Sequence, residues 1–240
     1  MRAEVALSLL LLVGCVGDRG AAPADSANPA SSTPAPETPA AQGELLYALS
    51  YVPGAAWKDG EPLAAQGLDD HFGYVGDLFE RRILVANGLY SDELRGLYLL
   101  SVGTEEEVRA ITASDPAVTQ GKLRVDTIEP WLVVLQAFDA SIGDAELFVL
   151  RYLPGASWVE GKPLAEQDLS AHLAYVGQVF ERGQLLAGGP LVDRDEGRYI
   201  VAVKSRAETD ALVAADPAVQ AELFEVTIHP WTAAQRQAPP

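Results

Sequence analysis

Two histidines and two aspartates recur at one separation: His71 with Asp115, then His172 with Asp216, each pair 44 residues apart. A carboxylate beside an imidazole fixes the ring tautomer and favours its charged form. The outer ring nitrogen is then free to exchange protons with a ligand near neutral pH. Such pairs would suit general acid/base work on a small organic molecule, isomerisation or elimination among them. A plainer reading stands beside it. Asp before Pro is a good N-cap, with Asp115 accepting from the amide of Ala117 or Val118, and a histidine on a helix border is commonly a core residue.

The pairs recur because the chain does. His71-Phe-Gly-Tyr-Val-Gly-Asp-Leu-Phe-Glu-Arg81 returns as His172-Leu-Ala-Tyr-Val-Gly-Gln-Val-Phe-Glu-Arg182, a shift of 101 positions. The same shift lays Tyr51, Pro53, Gly54 and Trp57 on Tyr152, Pro154, Gly155 and Trp158, and Asp115-Pro116 on Asp216-Pro217. A slip of one residue then sets Pro130-Trp131 against Pro230-Trp231. One spacing held this long means two copies of a structural unit, residues 44–131 and 146–233, with a connector at 132–145 and a tail at 234–240. Units this small are marginal alone, so the copies are expected to bury a face against each other as a monomeric pseudo-dimer.

Within each copy the periodicity gives βαββαβ. Glu44 to Val52 and Glu146 to Leu153 are short apolar runs stopped by Pro-Gly, read as strands covered on both faces. The next segment places Leu68, Phe72, Val75 and Phe79 at helical spacing, with Leu169, Leu173, Val176 and Phe180 as twins. That puts each histidine on the border of the buried face. Two strands, an acid-led helix from Thr104 or Ser205, and a last strand to Pro-Trp complete the unit. In this order the start of the first helix and the end of the second lie at one edge of the layer, so each histidine is expected to approach its aspartate. The fold class is α+β, helices on one face of each sheet and the bare faces closed together.

The first residues resemble an export signal. Arg2 precedes an apolar core, and Leu12-Val13-Gly14-Cys15 resembles a bacterial lipobox, which implies lipidation at Cys15 after loss of residues 1–14. Residues 15–43, dominated by Ala, Pro, Ser and Thr, read as a tether. The expected location is the cell envelope, lipid-anchored on the periplasmic side of the outer membrane, with membrane contact through the lipid alone. A net charge of -17 over 240 residues argues against nucleic acid as a partner. The single cysteine allows no intrachain disulfide or Cys-based metal site, the three histidines have no ligand spacing, and neither metal nor cofactor is expected. Tyr74 and Tyr175, one helical turn after the histidines, could each offer a hydroxyl to a ligand. Trp158, with Trp57, Trp131 and Trp231, could wall a pocket or plug strand ends. His229, whose counterpart is Glu129, is assigned no role.

His172-Leu-Ala-Tyr, Gly188-Gly189-Pro190-Leu191, Ala215-Asp216-Pro217-Ala218 and Phe224-Glu-Val-Thr-Ile-His-Pro-Trp231 resemble the YCII-related domain, a ferredoxin-like unit of the dimeric α+β barrel superfamily. The resemblance covers both copies. It implies a barrel of two sheets and an acid/base pair of His172 with Asp216 and of His71 with Asp115, with Gly189 and Pro190 at the pocket wall. The first copy departs there, having Gly88-Leu89. Two functions follow as expectations: a small-molecule enzyme using these pairs, or a binding or scaffold module without turnover. A sealed histidine with no void beside it would favour the second.

Overall fold

The computed structural model describes residues 43–240. The lipobox, Cys15 and all but the last residue of the tether lie outside them.

The first repeat runs β1 (Glu44–Pro53), α1 (Asp69–Glu80), β2 (Leu84–Tyr90), β3 (Gly96–Leu100), α2 (Glu105–Ser114), the one-turn α3 (Pro116–Thr119) and β4 (Leu123–Val133). A two-residue strand β5 (Leu135–Gln136) lies in the connector. The second repeat follows as β6 (Glu146–Pro154), α4 (Ser170–Glu181), β7 (Leu185–Pro190), β8 (Gly197–Val203), α5 (Arg206–Ala215), α6 (Pro217–Gln220) and β9 (Phe224–Arg236). The acid-led start of α2 is a capping box: the Glu107 amide donates to Thr104 Oγ1 at 3.2 Å and the Thr104 amide to Glu107 Oε2 at 3.1 Å. At the start of α5 the Glu208 amide donates to Ser205 Oγ at 3.3 Å, while the Glu208 carboxylate accepts from the Lys204 amide instead of that of Ser205.

The strands are ordered β4-β1-β3-β2-β9-β6-β8-β7-β5, and every pairing is antiparallel. The ends meet. Val134 donates to Gly188 O, Val192 donates to Pro130 O, and Trp131 bridges Leu191. These contacts mirror those at the other seam, where Ser91 donates to Pro230 O and β2 pairs with β9. The sheet therefore closes into a barrel with no unpaired flank between the halves, which is how an all-antiparallel sheet removes its edges.

Closure explains the doubly apolar strands. Leu46, Ala48, Leu97, Leu99, Trp131, Val149, Ile200 and Trp231 fill the barrel, while the outer faces of the same strands pack under α1 and α2 or under α4 and α5. One mouth, here called lower, is stopped by the connector, whose Phe138 is fully buried. On the sequence, Leu132 to Phe138 reads as an extra strand joining the copies but without a place in the sheet, and 234–240 as a tail outside it. Instead β4 runs to Val133, β5 pairs with β7, and β9 continues to Arg236, because the lower half of β9 carries the bonds to β2 that close the ring. Arg236 and Gln237 then tie the chain end to carbonyls of Phe138, Ala140, Phe79 and Leu84.

The helix face differs from the expected one. His71, Val75 and Leu78 are the buried stripe of α1, and His172, Val176 and Val179 that of α4. Phe72 and Leu173 are half exposed. The stripe is rotated by about one residue because each imidazole finds a polar partner inside the layer, which lets histidine take the central buried position. Among the described residues no helix is long and apolar enough to cross a membrane.

Candidate functional site

Each pair meets. His71 Nδ1 lies 2.9 Å from both carboxylate oxygens of Asp115, and His172 Nδ1 lies 3.0 and 2.8 Å from those of Asp216. The end of α2 does come to the start of α1, and the same is true of α5 and α4. Each aspartate does two jobs, since Oδ1 also caps the following helical turn, accepting from the Ala117 amide at 2.8 Å or from Ala218 at 2.9 Å. The N-cap and histidine-partner readings thus hold together, and the cap lets the carboxylate close one helix while opening the next.

Each set has a third member that helical spacing does not mark. Tyr98 Oη is 3.0 Å from His71 Nε2, and Tyr199 Oη is 3.0 Å from His172 Nε2. An ionised carboxylate only accepts, so Nδ1 carries the proton toward the aspartate, and with the imidazole neutral the phenol donates to Nε2. Burial first, then the negative charge of Asp115 or Asp216, pushes the ionisation of Tyr98 and Tyr199 above the ordinary tyrosine range, which keeps these phenols as donors. Tyr51 and Tyr152 set their rings 5.8 and 5.4 Å from the imidazoles and are raised for the same reasons in the same order. The signal was in the sequence: Tyr98 and Tyr199 are 101 positions apart and each follows its histidine by 27 residues.

These sets are sealed. His71, Asp115, His172 and Asp216 are at most 3 % exposed, and both nitrogens of each ring are engaged. The nearby void in the second repeat, among Leu150, Tyr152, Tyr175 and Tyr199, holds about 20 Å³, space for one water.

The residues suggested for ligand contact are used otherwise. Tyr74 and Tyr175 donate to the carbonyls of Ile111 and Leu212 at 2.9 and 2.8 Å, tying each first helix to the second. Trp158 packs against Phe224 at 5.8 Å. Gly189 is a contact between strands: a Cβ there would lie 2.0 Å from Leu132 O, and its own carbonyl accepts from Trp131 Nε1. Pro190 closes β7 beside it.

A groove of about 580 Å³ lies elsewhere, along β9 and the start of β6, lined by Glu146, Phe148, Trp231, Ala234 and Arg236 among others. An ion cluster that no motif marks sits at the upper mouth of the barrel, where Glu129 meets Arg151, Arg194 and Arg198. Burial works against the Glu129 carboxylate, yet these guanidiniums, Arg198 foremost, hold its ionisation below the ordinary glutamate range. No three His, Cys, Asp or Glu side chains among the described residues are grouped to hold a metal.

Residues 152–232 match the YCII-related domain. No curated protein matches the chain. Among solved structures, a protein from Fusobacterium nucleatum proposed to be a monooxygenase is similar over 81 % of this chain and 94 % of its own, at 10 % identity and a TM-score of 0.54. A mutant chlorite dismutase from Candidatus Nitrospira defluvii, in complex with cyanide, is similar over 80 % and 92 %, at 9 % identity and 0.52. A haem-binding protein from Thermus thermophilus is similar over 79 % and 91 %, at 13 % identity and 0.51. At such identities the likeness is one of fold, the dimeric α+β barrel. Haem does not fit the layer around His172: both ring nitrogens are taken, and the space beside Tyr175 and Tyr199 is about 20 Å³.

Proposed function

From a second repeat that is a YCII-related domain on a dimeric α+β barrel, we propose that this protein is a small-molecule-binding module without turnover at its His-Asp pairs, held at the cell envelope by a lipid on Cys15. The observation that carries this reading is the closure of both imidazoles. A general base must reach the proton it takes, directly or through one water. Here the outer nitrogen of each ring, which would do that, is held by a tyrosine beneath a packed helix. The set then works as a pin: one buried hydrogen-bonded chain runs from the sheet (Tyr98, Tyr199) through the first helix (His71, His172) to the junction of the second helix and the turn after it (Asp115, Asp216). A fully satisfied buried network of this kind holds elements in one arrangement.

Diethylpyrocarbonate labelling read by mass spectrometry tests it. His229, whose side chain is 29 % exposed, is expected to react while His71 and His172 stay protected until the protein unfolds. Reaction of His172 at the rate of His229 would return the pairs to acid/base chemistry. The anchor is tested separately: lipid incorporation is expected in the wild type and absent in Cys15→Ala.

A further inference from the structure

The upper mouth of the barrel carries charge that the fold does not need. β8 contributes Arg198, β6 Arg151, β4 Glu129, and the turn between β7 and β8 contributes Arg194 and Glu196. Arg198 Nη2 donates to Glu129, both residues being 2 % exposed. Arg151 Nη2 donates to Glu196 and lies 3.5 Å from Glu129. Arg194 Nη1 lies 3.3 Å from Glu129 and 3.7 Å from Glu196. Three guanidiniums therefore share two carboxylates. The facing turn between β2 and β3 is occupied with its own pairs: Arg95 with Glu93 and Asp126, and Asp92 with His229 at 3.1 Å, whose ring lies tilted 5.2 Å from that of Tyr90.

The donors are also in surplus. Nε of Arg151 and both Nε and Nη1 of Arg198 are buried with no acceptor. The Trp131 ring, 5.9 Å below the Arg198 guanidinium, receives its charge and supplies no oxygen. An unmet buried donor costs about 1–3 kcal/mol, so these N–H groups favour any acceptor that reaches them. The groove along β9 offers no comparable charge, since Arg236 there is spent on the carbonyls of Phe138 and Ala140 and the unmet donor of its lining, Trp231 Nε1, is neutral.

We propose that the upper mouth binds the oxyanion, carboxylate or phosphate, of a small molecule on Arg151, Arg194 and Arg198. Guanidinium forks match the spacing of two oxygens on such a group. Arg151 and Arg194 reach solvent at the rim, their side chains 30 % and 47 % exposed. Arg198 and its unmet donors lie behind them. Glu196 already holds a carboxylate against Arg151 and marks the geometry a ligand would adopt. The site deepens the binding reading and rests on it, but histidine labelling is indifferent to anions at the mouth, so the two readings fail separately.

The test is titration of the full chain with sodium succinate and, separately, inorganic phosphate, against sodium chloride at matched ionic strength. The readouts are the arginine Nε–Hε resonances and the melting temperature. Saturable shifts at Arg151 and Arg198 are expected with at least one oxyanion, together with a rise in melting temperature that chloride does not give. Arg151→Ser places there what the first repeat has at Ser50, and Arg194→Gln removes a rim cation while keeping the hydrogen bond from Arg198 to Glu129. Each is expected to raise the dissociation constant at least tenfold, and exposed Arg109→Gln to leave it unchanged. Shifts that chloride reproduces, that do not saturate, or that persist in both mouth variants overturn the proposal.

Discussion

The two repeats agree in their outer layer and disagree inside the barrel. Outside, His71, Asp115, Tyr98 and Tyr74 have His172, Asp216, Tyr199 and Tyr175 as twins, with hydrogen-bond lengths matching to about a tenth of an ångström. Inside, Ser50 faces the place of Arg151, Leu97 that of Arg198, Arg95 that of Glu196, and Glu129 that of His229. A feature every copy must have to fold is kept twice. A feature present once, charged, and buried at a cost is one the fold alone does not require. The difference thus assigns stability to the matched sets and recognition to the unmatched cluster.

The largest effect that could break this division is Glu129→Ala. Removing the carboxylate leaves Arg198 charged and buried, which is expected to cost about 3–5 kcal/mol, whereas His229→Ala at the twin position is expected to cost under about 1 kcal/mol, as for exposed ion pairs. Chemical denaturation of both variants checks it, and equal losses would restore the symmetry. The same carboxylate sets a pH dependence. Its ionisation is lowered in the folded state, so its contribution is complete above the ordinary glutamate range and is lost as pH falls through the folded value. Stability curves between about pH 5 and pH 2 should fall more steeply for the wild type than for Glu129→Gln.

Next come the matched sets. Asp115→Asn and Asp216→Asn are each expected to destabilise by about 2–4 kcal/mol, near the loss for a broken buried pair. Tyr98→Phe and Tyr199→Phe should each cost about 1–3 kcal/mol by leaving Nε2 without its partner. Denaturation midpoints compared across repeats should agree within about 0.5 kcal/mol. A loss confined to one copy would mean that copy does something else. The smallest expected effect concerns the turn before the last strand, where Gly121 takes φ 68° and its twin Glu222 takes φ 56°. Glu222→Gly should gain about 0.5–1 kcal/mol, since only glycine adopts that region freely. A thermal melt reads it.

Much of this was legible in the sequence, for reasons that particular residues make plain. The 101-residue shift gave the duplication, and the doubly apolar Leu45 to Leu49 and Leu147 to Leu150 gave strands covered on both faces. Topology alone brought His71 to Asp115. The tyrosine that closes each ring was not found because Tyr98 and Tyr199 sit in strands whose register against the helix periodicity does not fix. The rotation that buries His71 and exposes Phe72 was hidden because hydropathy ranks phenylalanine above histidine, and only the partners across the layer reverse that order. The arginine cluster escaped because its members come from four separate segments that meet only when the barrel closes.

The last strand serves both halves, pairing with β6 through Phe224–Trp231 and with β2 through Trp231–Arg236. A nascent chain still missing its final stretch therefore has a gap on one flank of each half, and no amount of waiting completes either. The pairs that close the ring join segments far apart along the chain, a topology that slows folding relative to one built from local contacts.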